Sequence, residues 1–126
     1  MAGSALGNRM EFKNSQNSMN VCVRTDGGPD IGYGHLIRCG ALIEILIERE
    51  HKATVATATP VPAREVFPPA VEVIELPSRA DPESFIEWLD WANPDVVVTD
   101  AYPVDTNYQE SVRGRVPLVV LQDDAR

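Results

Sequence analysis

Cysteine is scarce: the chain has two, Cys22 and Cys39, seventeen positions apart. Neither belongs to a C-x-x-C pair or stands near two histidines, so zinc is not expected, and unpaired thiols suit a reducing compartment. Basic residues are also few, eleven against nineteen acidic ones. The net charge of −8 leaves no basic footprint for nucleic acid or for an anionic membrane. No apolar run approaches the ~20 residues of a membrane span, and the first residues hold no signal-peptide core. These absences lead to the expectation of a cytoplasmic protein without a membrane span.

What is present is an ordinary globular composition, 44% hydrophobic and 24% charged. A chain of 126 residues makes one domain with a core of its own, yet is small for a complete α/β enzyme. Residues 1–18 are small and polar with no sustained period and read as a leader, leaving 19–126 as the domain. Asn20 to Thr25 reads as the first strand, and Gly34 to Glu50 as a long helix. That helix has Leu36, Cys39, Gly40, Ile43, Leu46 and Ile47 on one face, and Leu42 and Ile45 widen the stripe. Lys52 to Thr59 alternates as a strand, and Pro60 to Phe67 is a short helix or turn. Val71 to Leu76 is the third strand. Pro82 to Ala92 is a helix, with Asp81 as its expected cap and Asn93-Pro94 as its stop. Asp95 to Asp100, with its VVV run, reads as a buried central strand. Asp105 to Gly114 follows as a helix, and Pro117 to Leu121 as the fifth strand. Strand and helix alternate throughout, which predicts an α/β, Rossmann-like three-layer domain with a five-stranded parallel sheet in the order 3-2-1-4-5.

The stretch from Arg24 to Cys39, RTDGGPDIGYGHLIRC, joins the first strand to the first helix and carries most of the chemistry. Its glycines Gly28, Gly32 and Gly34 are spaced G-x-x-x-G-x-G, and no G-K-[ST] follows, so neither a dinucleotide nor an ATP loop is indicated. A glycine-rich turn feeding a helix N-terminus nonetheless makes a ligand-binding corner. Three strands end in carboxylates, at Asp26, at Asp100 and at Asp123-Asp124. In a parallel sheet these tips share one edge, so Asp26, Asp100, Tyr102 and His35 are expected to line one crevice. His35 reads as a proton carrier there. Arg38, one helical turn on, has two open readings, an anion-binding group or an ion pair with Asp26 or Asp30. A divalent metal on Asp26, His35 and Asp100 is a minor option with no recognised spacing behind it. Trp88 and Trp91 read as core and rim of one helix. The broad apolar stripe of the first helix is open to three readings: a partner domain, a second copy forming a homo-oligomer, or burial beneath a neighbouring helix.

The pattern R-T-D-G-G-x-x-I-G-Y-G-H-x-x-R-C resembles the nucleotide-sugar hydrolases of pseudaminic acid biosynthesis and the related spore-coat polysaccharide proteins. Val98-Thr99-Asp100-Ala101-Tyr102 looks like that family's D-x-Y after strand four, and Val120 to Asp124 like its paired aspartates after strand five. The resemblance covers Val21 to Arg126. It implies the N-terminal, sugar-side half of a GT-B-type enzyme, which uses neither metal nor cofactor. In that enzyme the residue matching His35 activates water at the anomeric carbon of a UDP-linked amino sugar and UDP is released. Arg24, Asp26, Gly32, Gly34, Arg38, Asp100, Tyr102 and Asp123 would shape the substrate pocket. A C-terminal domain supplying most UDP contacts would follow Asp123-Asp124 in such an enzyme, and without it turnover is expected to be weak. Two alternatives accompany this reading, a glycosyltransferase half-domain of the same architecture and a non-catalytic sugar-binding or interaction module.

Overall fold

The computed structural model describes residues 18–101 and 105–121. Within them five strands, β1 (Asn20–Thr25), β2 (Lys52–Thr57), β3 (Glu72–Glu75), β4 (Val96–Asp100) and β5 (Leu118–Val120), form one sheet. All pairings are parallel and the order is β3-β2-β1-β4-β5, the Rossmann-like topology expected from the alternation of elements. The crossovers contain α1 (Gly34–Glu48), α2 (Pro60–Val66), α3 (Glu83–Ala92) and α4 (Thr106–Arg113).

Successive strand residues point to opposite faces, and here both faces are covered, so the middles of β1 and β4 are apolar on both sides. Val21, Val23, Val55 and Val98 face one layer, where Leu36, Cys39 and Ile43 of α1 meet Ala63 of α2 and Phe67. Cys22, Ala56 and Val97 face the other, against Phe85 and Leu89 of α3 and Tyr108 and Val112 of α4. The result is three layers with two cores. Register aligns the strand tips: Thr25 pairs with Asp100 and Arg24 with Ala56, so β1, β2 and β4 leave the sheet at one level.

Several boundaries differ from the sequence expectation for local reasons. α1 stops at Glu48 because Glu50 turns left-handed (φ 66°) and the His51 amide bonds back to the Leu46 carbonyl, closing the helix end. Asn93 does the same for α3 with φ 51°, ahead of Pro94. Asp81 gives α3 no side-chain cap of the usual span, because its Oδ1 accepts from the Glu83 amide at the helix's first residue. The α1 stripe is also narrower than expected. Leu42 packs on the core, but Ile45 is 47% exposed and Ile37 62%. Ile45 lies two residues beyond the core position Ile43, about 200° around the helix.

Candidate active site at the carboxyl edge

The corner after β1 is built from glycine for two separate reasons. Gly28 and Gly32 exchange backbone hydrogen bonds, Gly28 N–H to the Gly32 carbonyl at 3.1 Å and Gly32 N–H to the Gly28 carbonyl at 2.7 Å, which folds Pro29-Asp30-Ile31 into a tight loop. Gly32 has φ 98°, a conformation that a side chain would strain. Gly27 is pressed from outside: a Cβ there would stand 2.6 Å from the Cγ and Cδ1 of Leu36. That close approach lets Leu36 reach the core from the first turn of α1, and it fixes the helix start above the strand tips. Tyr33 precedes α1 without a side-chain cap, and no acidic residue occupies the first turn, so the partial positive end of the helix faces the edge undiminished by a carboxylate cap.

Two charge clusters meet the edge, one on each face of the sheet. On the α1 face the Asp100 carboxylate, almost fully buried at the end of β4, receives three donors. His35 Nδ1 is 2.5 Å from Oδ1, Arg38 Nε is 2.6 Å from Oδ2, and an Arg38 terminal nitrogen is 2.9 Å from Oδ1. A carboxylate held by a two-pronged guanidinium accepts only, so Nδ1 of His35 is the donor in this contact. The Thr25 hydroxyl donates to the Asp100 carbonyl at 2.7 Å and ties the two strand tips together. Arg38 thus pairs with Asp100 rather than with Asp26 or Asp30. Beneath this cluster the Cys39 thiol is pushed up to about 12, chiefly by burial, with the Thr25 hydroxyl contact opposing the rise and the Asp100 charge adding to it.

On the opposite face Asp26 is fully buried and serves the fold. Its Oδ1 accepts from Arg24 Nη1 at 2.8 Å, from the Thr57 hydroxyl at 3.0 Å and from the Ala58 amide at 2.8 Å. Arg24 also donates from Nε to the Tyr108 hydroxyl at 2.8 Å and from Nη2 to the Arg79 carbonyl at 3.0 Å, and its guanidinium lies 5.7 Å from the Tyr108 ring centre. Burial alone would favour the neutral guanidine, but the Asp26 and Tyr108 contacts outweigh it and the Arg24 pKa is raised. Arg79 Nε stands 3.8 Å from Asp26 Oδ2.

The structure therefore brings together His35, Arg38 and Asp100, and sets Arg24 and Asp26 apart. Asp26 and Asp100 have separate side-chain partners: Arg24, Thr57 and Ala58 hold Asp26, and His35 and Arg38 hold Asp100. Gly32 and Gly34 are exposed on the loop and helix start beside His35. Tyr102 and Asp123 lie outside the described residues. Among the described residues no cluster of three His, Cys, Asp or Glu side chains forms a metal-holding group. Sequence reasoning missed Thr57, Thr59 and Arg79. The Thr59 hydroxyl accepts from the Gly27 amide at 3.0 Å and joins Thr57 in pinning the glycine turn, and the A-T-A-T run from Ala56 to Thr59 was the available signal.

An imidazole whose Nδ1 donates to a buried carboxylate keeps its lone pair on Nε2 when the ring is neutral, and in that form can take a proton from a water or hydroxyl beside the helix start. Compared with protein families and with curated proteins, the chain matches no family and no such protein.

Proposed function

We propose that this domain contributes the proton-transfer side of a nucleotide-sugar hydrolase. His35 is the base that activates water at the anomeric carbon of a UDP-linked amino sugar, and Asp100 and Arg38 hold it in place. The observation that carries the reading is the 2.5 Å contact of His35 Nδ1 with Asp100 Oδ1, which orients Nε2 as the basic nitrogen at the edge where parallel sheets bind ligands. The motif resemblance names the chemistry, and the uncapped start of α1 supplies a place for an anionic group. Such a site needs neither metal nor cofactor, and no described helix is long and apolar enough to cross a bilayer.

A second reading rests on Asp100 itself. A carboxylate held by the Arg38 guanidinium and the His35 ring also suits a binding module that holds a sugar phosphate without turning it over. Titration of the chain with UDP-N-acetylglucosamine, followed at the amides of Gly27 to Arg38, tests binding. UDP release from the same mixture tests chemistry. Saturable shifts with slow release, abolished by His35→Gln, support the hydrolase. Shifts without release favour the module, and release unchanged in His35→Gln removes His35 from the reaction.

A further inference from the structure

The opposite, amino edge of the sheet holds a cleft of about 580 Å³ that none of the preceding chemistry uses. Register defines its floor. Asn20 pairs with Lys52, and Thr54 pairs with Glu72, so these four side chains fall on one face of β1, β2 and β3, the face that α3 covers higher up. In a sheet buried on both sides that face is normally apolar. Here its amino end is polar, carries one positive and one negative side chain, and lines the cleft. α3 runs back down toward this edge and brings Trp88 and Trp91 to the cleft wall. Trp88 packs partly on the core, whereas Trp91 is 82% exposed, the highest value among the exposed large hydrophobics.

An indole left in water beside a polar floor matches a ligand with one apolar face and one hydrogen-bonding rim. The negative face of the ring attracts weakly positive C–H groups. The volume lies within the range of small-molecule sites. Lys52 and Glu72 oppose one another in sign, which favours an uncharged ligand able both to accept and to donate. We propose that the cleft binds a neutral saccharide of one or two rings, its C–H face on Trp91 and its hydroxyls between Lys52 and Glu72. This edge is remote from His35, so the site stands or falls independently of the proposed hydrolysis.

The chain's only two tryptophans line this cleft, so selectively excited tryptophan fluorescence reports on it. The probes are methyl β-D-glucopyranoside, N-acetylglucosamine and cellobiose, added to the full chain. A saturable blue shift with reduced acrylamide quenching is expected, with half-saturation on the order of millimolar for ligands of this size. Trp91→Ala, followed through Trp88, weakens binding at least ~10-fold, which is the scale of losing one good stacking contact. Glu72→Gln, on an exposed side chain that leaves the fold intact by circular dichroism, weakens it less. Three results overturn the proposal. One is the absence of any saturable response to all three sugars at about 100 mM, far above that range. Another is undiminished binding by Trp91→Ala. The third is a ligand-free Trp88→Phe chain whose Trp91 already resists acrylamide, which would place residues 1–17 or a second copy in the cleft.

Discussion

His35 and Asp100 are sixty-five positions apart in sequence, yet the imidazole Nδ1 and a carboxylate oxygen meet at 2.5 Å. Two parallel strands and a helix make that contact: β1 delivers the chain to the edge, the glycine turn starts α1 there, and β4 ends beside β1 with Asp100 level with Thr25. The histidine is thus anchored to the sheet through its neighbour's tip rather than through its own loop.

The ring tautomer depends on that anchor. In Asp100→Asn the amide must satisfy Arg38 with its oxygen, which turns its N–H₂ toward His35 and makes Nδ1 the acceptor. We expect nitrogen NMR of the imidazole to show the ring proton moving from Nδ1 to Nε2, and any UDP release that depends on His35, as proposed above, to fall with it. Arg38 is 41% exposed and screened by solvent, so the stability loss stays at about 1–2 kcal/mol. An unchanged tautomer in this variant would contradict the assignment of Nδ1 as donor.

The Arg24–Asp26 pair should behave in the opposite way, as a matter of folding. Both side chains are fully buried, so Asp26→Ala leaves a guanidinium without its counter-charge and costs about 3–5 kcal/mol. Removing both charges with Arg24→Met and Asp26→Ala restores much of the loss, since no unpaired ion remains. Urea denaturation of the two single variants and the double one gives the coupling. A double variant as unstable as the sum of the singles would show that the pair is not the unit we describe.

How much of this was legible in the chain depends on the element. V-C-V and V-V-V announce strands covered on both faces, and the alternation with helices gives the sheet order. The Asn93-Pro94 stop was also readable, since asparagine tolerates the left-handed turn that ends α3. The division of the acidic tips was not read. Parity places Asp26 with Arg24 and Cys22, and Asp100 with Val98, but parity alone does not say which helix lies over which face. The resemblance places Arg24 in the pocket, and nothing local announces its burial, because its partners Tyr108 and Arg79 come from distant segments. Ile45 was assigned to the buried stripe because a helix with many branched apolar residues offers more than one face to a periodicity argument.

Gly27 and Gly34 separate steric need from helix propensity. Gly27→Ala drives a methyl group into Leu36, which is locked in the core, and should cost about 1–3 kcal/mol by overpacking. Gly34→Ala meets no atom within 4 Å at the first helical residue and should stabilise by up to about 1 kcal/mol. Thermal denaturation of the two variants, compared with the parent, should show Tm moving in opposite directions.

Glu50 closes α1 in a left-handed conformation that carries a Cβ penalty. Glu50→Gly removes the penalty while keeping the backbone hydrogen bond from His51 to Leu46, and should raise stability by about 0.5–1 kcal/mol despite the added freedom of the unfolded chain. A fall in the urea midpoint would mean that the Glu50 side chain does something its exposure does not suggest.

Alkaline pH should destabilise the fold before it affects any arginine. Burial raises the Cys22 and Tyr108 pKa values and pushes Cys39 from 9.0 up to about 12. Each of these groups is neutral when protonated, so the folded state retains protons that the unfolded chain releases first. Above the unfolded thiol pKa the unfolded state binds fewer protons, and stability falls with rising pH. The contribution of Cys39 is whole below about pH 9 and is lost as pH climbs toward 12. Urea midpoints should therefore drop between near-neutral pH and about pH 10, and the double variant Cys22→Ala, Cys39→Ala should flatten the drop, leaving the Tyr108 share. The same burial predicts that both thiols resist a disulfide reagent in native buffer and react on unfolding, because the thiolate is the attacking species. Rapid native labelling of either cysteine would show that the core opens around it far more readily than its packing implies.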